Sequence, residues 1–207
     1  MSFLPEKKNK LLKEAFFNDF QELFVEKCEE YQKKFNDFKN NPHEIKDNFK
    51  DFRGDEEFIS SLLTGWLTED LMREFVNQKI SPEKIVLAGT DADRELSQKN
   101  VLASPDFEVK NEDNEKLGSV EMKSWLSIEK DVFLKEYSVN HIKKTNGLIL
   151  YYFLEEQKFI ILSYPQILQF KKIIKWKKPG YLISSEYMKR KSKDIKSFKK
   201  WDLFKFY

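Results

Sequence analysis

Asp106 follows a proline in Ser104-Pro105-Asp106-Phe107, and fifteen residues later the chain reads Val120-Glu121-Met122-Lys123-Ser124. Two carboxylates on adjacent strands can hold a hard divalent cation through oxygen, and a lysine beside them can steady an attacking water or the charge on a phosphate. These are the residue types a magnesium-dependent phosphodiesterase needs. Strand alternation sets Glu121 and Lys123 on one face and Val120 and Met122 on the other. Pro105 suits the first position of a strand, where no ladder hydrogen bond is lost. If the two strands pair as a hairpin, Asp106 approaches Glu121 across the ladder, and the acidic pocket repels itself unless a cation occupies it. A solvated hairpin that carries Glu and Lys by chance is the plain alternative.

The elements that must position these residues follow from hydrophobic period. Leu12, Phe16, Phe20, Phe24, Cys28, Tyr31, Phe35 and Phe38 recur at helical spacing through residues 6–40, and Asn40-Asn41-Pro42 stops the helix. This stripe packs on the domain or forms a dimer seam. A second helix is predicted from Glu56 to about Gln78, with Phe58, Leu62, Trp66, Met72 and Phe75 near one side and Ser81-Pro82 at its end. The period then changes. Residues 84–88, 106–110 and 118–125 read as three strands, 131–145 as a helix, and 148–154 with 159–163 as a strand pair. The order predicts an α/β fold, a mixed central sheet flanked by helices with an N-terminal helical extension. The division expected is an extension over 1–54, a core over 55–165 and a basic, aromatic-rich extension packed on the core over 166–207.

The chain of 207 residues has a 40% hydrophobic fraction and 19 Phe, enough for a real core and against disorder. No apolar run approaches the ~20 residues that span a bilayer, so no membrane association is expected. The lysine-rich start shows no secretion signal. Cys28 is alone, which excludes a disulfide within one chain and a thiolate zinc site, and fits a reducing, intracellular setting. The formal charge of +2 hides an asymmetry: residues 171–207 carry thirteen Lys/Arg against three acids, and the rest of the chain carries 24 against 32. A basic segment beside an acidic body suggests a polyanion steered toward the acidic cluster, against the alternative of a solvated tail.

Pro105-Asp106 followed by Glu121-Met122-Lys123 resembles the signature of the PD-(D/E)XK nuclease superfamily, and within it Pro105-Asp106-Phe107 and Val120-Glu121-Met122-Lys123-Ser124 look most like archaeal Holliday-junction resolvases and related virus-encoded nucleases. The resemblance covers roughly residues 60–155 and implies a restriction-endonuclease-like αβββαβ core. It implies Mg²⁺ (or Mn²⁺) held by Asp106 and Glu121, with the Met122 carbonyl as a further ligand. Lys123 would position the nucleophilic hydroxide and neutralise charge on the phosphate. A further glutamate, on the helix before the first strand, is carried over to Glu69 in Gly65-Trp66-Leu67-Thr68-Glu69, with Glu74 as the fallback. The reaction implied is phosphodiester hydrolysis leaving a 5′-phosphate. The long N-terminal helix and basic C-terminal extension depart from the resolvase pattern and leave the junction substrate open.

Other residues are candidates for contact with nucleic acid. Tyr137, His141 and Lys144 share one side of the helix after the third strand. Lys177 and Lys178, then Lys189, Arg190 and Lys191, interleave with aromatics, a composition that gives salt-sensitive, sequence-independent affinity for phosphates. Phe198, Trp201, Leu203 and Phe204 are read as anchors of the tail. Asp91, Asp93, Arg94 and Glu95 fall in a loop that is either solvated or closes over DNA, and His43 is read as inert. The sequence thus predicts a Mg²⁺-dependent DNA endonuclease, a homodimer, structure-selective on branched DNA. A type II restriction endonuclease and a non-catalytic nucleic-acid-binding protein are the alternatives, and RNA stays open as a target.

Overall fold

The computed structural model describes residues 2–40, 54–88, 94, 96, 105–175 and 178–206. The stripe over 6–40 folds as α1 (Glu6–Leu12), a π-type turn (Lys13–Phe17) and α2 (Gln21–Asn40), the helix being interrupted at residues 18–20. Its Phe16, Phe24, Tyr31, Phe35 and Phe38 are buried. Phe16 meets Phe75 and Tyr152 at centroid distances of 6.3 and 5.6 Å. The stripe is therefore spent on the protein's own core, where each such ring contributes about 1.5–3 kcal/mol. Helix α3 (Asp55–Ile80) opens with Asp55, Glu56 and Glu57 in its first turn, where negative charge suits the helix dipole, and it ends before Ser81-Pro82.

β1 (Lys84–Leu87), β2 (Phe107–Lys110) and β3 (Lys116–Trp125) pair antiparallel in sequence, with Ile85 opposite Val109 and Phe107 opposite Val120. The chain then crosses over and returns as β5 (Gly147–Phe153), parallel to β3, with Glu121 paired to Ile149 and Lys123 to Tyr151. The crossover differs from the single helix expected over 131–145. Val132–Lys135 is strand β4, and only Glu136–Lys144 is helical, as α4. Val-Phe-Leu-Lys buries Val132 and Leu134 on one side, a period of two in residues that favour strands. At the return, Gly147 is required by close approach: a Cβ there would lie 2.6 Å from Ser119 Oγ, which itself bonds Thr145 Oγ1 at 2.7 Å. That contact seats the end of α4 against β3.

The hairpin expected after this helix is β5 with β6 (Lys158–Ser163), antiparallel. A short helix α5 (Tyr164–Ile167) leads to β7 (Lys171–Lys175) and β8 (Lys178–Ile183), followed by α6 (Ser185–Lys191), β9 (Lys193–Asp194) and α7 (Lys200–Phe204). Among the described residues the main sheet has six strands in the order β1-β2-β3-β5-β6-β9, and a second sheet has three in the order β4-β8-β7. All seven residues of β5 are buried, as a central strand covered on both faces must be. Leu148, Leu150 and Tyr152 pack with the N-terminal helices and α3, while Ile149, Tyr151 and Phe153 pack with α4 and the second sheet. The fold is α/β, a mixed sheet flanked by helices. In the tail Phe198 and Leu203 are buried anchors and Phe204 packs partly, but Trp201 is 72% exposed.

Candidate active site

The meander brings the two motif segments into register. Phe107 pairs with Val120, so Asp106 and Glu121 are the next residues of their strands at the point where β2 begins. The main chain of Asp106 is fixed from the other side, since Ala88 N–H donates to its carbonyl at 3.0 Å. The Asp106 carboxylate turns back to accept the Met122 N–H through Oδ2 at 2.6 Å. Val120 and Met122 are buried in the core, and Glu121 and Lys123 occupy the opposite face, as alternation requires. Lys123 Nζ lies 2.6 Å from Glu121 Oε1 and 4.0 Å from Asp106 Oδ2, with the lysine side chain 38% exposed and each carboxylate 14%. Burial alone would lower the Lys123 pKa. The charges of Asp106 and Glu121, and after them Glu69, outweigh burial and hold it above the ordinary lysine value. Three carboxylates thus act on one ammonium at the mouth of the sheet.

Glu69 stands on α3, where its charge acts on Lys123 and its carboxylate is tied to another cation. Arg94 Nη1 donates to Glu69 Oε2 at 2.9 Å, and Arg94 Nη2 to Asp70 Oδ1 at 3.2 Å. The second oxygen of Asp70 accepts the Tyr31 hydroxyl at 2.5 Å. Tyr31, Asp70 and Arg94 are all buried. Burial first, and the Asp70 charge after it, push the Tyr31 hydroxyl well above the usual tyrosine pKa, so it stays a donor. Removing one partner of a buried pair leaves an uncompensated charge, at a cost of about 3–5 kcal/mol. Arg94 is therefore no solvated loop residue, contrary to one of the expectations for its segment; Asp91, Asp93 and Glu95 lie outside the described residues, as does His43. The signal for the network was Glu69-Asp70 set among Leu67, Leu71 and Met72, since an acidic pair in an apolar helix demands a cation.

Comparison of the chain with protein-family models, with curated proteins and with solved structures gives no match.

The donor set is three carboxylates with no thiolate or imidazole among them, which suits a hard cation such as Mg²⁺ or Mn²⁺. As the side chains stand, Glu121 rests on Lys123 and Glu69 on Arg94, and among the described residues no group of three or more His, Cys, Asp or Glu is gathered closely enough to enclose an ion. The structure brings together Asp106, Glu121 and Lys123, while Glu69 is held by Arg94 and acts on Lys123 through its charge. Met122 lends its N–H to Asp106. Glu74, the fallback for Glu69, lines a separate surface cavity with Asn18, Phe20 and Glu22.

The residues expected to touch nucleic acid lie on α4, β8 and α6. Tyr137 on α4 is 57% exposed with Lys135 Nζ 5.5 Å from its ring centroid, and Lys144 is exposed at the same helix's end. His141 is half-buried, and its Nε2 has no hydrogen-bond partner among the described residues. Lys178 is exposed at the start of β8. On α6, Lys189 pairs with Glu129 at 2.6 Å, Arg190 lies over the Tyr187 ring, and Lys191 is exposed. Lys177 lies outside the described residues.

Proposed function

We propose that the protein is a metal-dependent DNA endonuclease that hydrolyses phosphodiester bonds, acting as a homodimer on branched DNA. The observation that carries this reading is the Lys123 ammonium held between Glu121 at 2.6 Å and Asp106 at 4.0 Å at the start of β2, with the Glu69 charge acting on it as well. The element order supports it: a helix, three antiparallel strands, and a crossover through a helix to a strand parallel with the third is the arrangement that the resemblance to the PD-(D/E)XK nucleases implies. No helix of the described residues is long and apolar enough to cross a membrane.

Asp106 and Glu121 would hold Mg²⁺ or Mn²⁺, with the Met122 carbonyl and Glu69 as further donors. The ion when bound supplies Lewis acidity and lowers the pKa of its water. Lys123, kept charged by its three carboxylates, orients the attacking water and balances the negative charge that builds on the phosphate. Asp106, pinned through Met122 N–H and its own main chain, keeps its carboxylate aimed without rotamer loss. Water adds to phosphorus as the P–O3′ bond breaks, leaving a 5′-phosphate and a 3′-hydroxyl. Two nicks across a branch need two sites, which is the reason for the dimer.

The test is incubation of the purified protein with linear duplex, flap, single-stranded and four-way-junction DNA, in Mg²⁺ or EDTA. Cleavage of the branched substrates in Mg²⁺ alone is expected. Discrete fragments from plasmid DNA would favour a restriction enzyme instead, and binding with no Mg²⁺-dependent cut would overturn the enzyme reading.

A further inference from the structure

The chain from Tyr31 to Glu69 contains one charge more than a structural pair requires. Asp70 is 1% exposed, and both its oxygens are used, one by the Tyr31 hydroxyl and one by Arg94. Asp70 and Arg94 already neutralise one another. Glu69 is a second carboxylate on the same guanidinium, with 17% of its side chain exposed, and its remaining charge reaches Lys123. Arg94 is further fixed by the Trp66 ring, 5.4 Å from its guanidinium carbon. The same indole lies 6.1 Å from the Tyr31 ring. The Arg94 backbone sits at φ 53°, a left-handed conformation that a side-chain-bearing residue keeps only where its surroundings over-determine it.

We infer that Arg94 is a positioning residue for Glu69, and that Tyr31 of the N-terminal helix α2 holds it to that task through Asp70. The inference rests on the nuclease reading of the site. It makes α2 a working part of that site, although Tyr31 is fully buried and cannot touch DNA. Tyr31→Phe keeps every charge and removes one donor. The guanidinium then loses one of its fixed references, Glu69 loses its orientation, and a preorganised oxygen is lost to the site while the DNA-contacting surface is unchanged.

The test is a set of variants, Tyr31→Phe, Arg94→Lys and Arg94→Ala, each alone and combined with Glu69→Gln. Steady-state cleavage kinetics and Mn²⁺ titration of the DNA-free protein by calorimetry are the two readouts. Tyr31→Phe is expected to lower kcat about three- to tenfold with KM for DNA unchanged, and to weaken Mn²⁺ binding about threefold. Arg94→Ala should lose about tenfold more than Tyr31→Phe, and Arg94→Lys should recover part of that loss. In the Glu69→Gln background Tyr31→Phe should alter neither readout, because the residue it acts through has gone; a purely structural role would not vanish there. An active parent with Tyr31→Phe and Arg94→Ala at parental rates overturns the inference. So does a loss that falls on KM, or a loss of Mn²⁺ affinity that persists beside Glu69→Gln. A parent protein that neither cleaves any DNA nor binds Mn²⁺ overturns the nuclease reading itself, and this inference with it.

Discussion

The Asp106 carboxylate accepts the Met122 N–H at 2.6 Å while its charge acts on Lys123, and the two roles separate by substitution. Asparagine keeps an oxygen for the N–H and removes the charge, whereas alanine removes both. Asp106→Asn and Asp106→Ala are each expected to lose Mg²⁺-dependent cleavage. In urea unfolding, Asp106→Ala should be about 1 kcal/mol less stable than Asp106→Asn, the worth of one hydrogen bond to a half-buried N–H. Equal stability would mean that the bond does not hold the strand. The three residues around this point were legible in the chain because strand alternation alone sorts Val120 and Met122 inward from Glu121 and Lys123. Arg94 was not. Its burial depends on acids 24 and 25 positions away on α3, a distance that no local period reports.

Elements with a clear period were readable: the helices of residues 6–40 and 55–80, the three-strand meander and the β5–β6 hairpin. The second sheet was not, for physical reasons. Its strand β4 is four residues long and runs directly into α4, so one apolar stretch serves two periods. Its strand β8 contains Pro179-Gly180, a pair that reads as a turn; yet Gly180 faces the Leu134 carbonyl and the Phe133 ring with no room for a Cβ. The tail's attachment was legible only in its apolar anchors. Asp202 adds a polar one, accepting the Lys199 N–H at 3.0 Å and pairing with Lys193. Burial would raise the Asp202 pKa, but Lys193 and the Lys199 N–H outweigh it and leave the value below the ordinary 3.8. A carboxyl whose folded pKa is depressed stabilises the fold above its unfolded pKa and loses that contribution as pH falls through the folded value. The tail should therefore loosen below about pH 4. Asp202→Asn should loosen it already at pH 7, by about 1–2 kcal/mol. Limited proteolysis across pH reads both; a tail equally protected in the variant contradicts the assignment.

Across the whole molecule the charge asymmetry of the sequence is partly spent internally. Of the thirteen basic residues after position 170, Lys172 pairs with Glu136, Lys189 with Glu129 and Lys200 with Glu83, each tying the C-terminal segment to the body. Exposed pairs of this kind contribute about 0–1 kcal/mol apiece, so they orient the segment more than they stabilise it. In the proposed function the exposed Lys178 and Lys191, with Tyr137 on α4, would face a polyanion, and the acidic cluster at β2 and β3 is where a cation and a phosphate would meet. The measurement that bears most directly on this account is single-turnover cleavage of a four-way junction in Mg²⁺ by the parent, Glu121→Ala and Lys123→Ala, with DNA affinity measured alongside. The expected result is a loss of about 100- to 1000-fold in rate for each variant with affinity unchanged. Variants that cut as fast as the parent would contradict it.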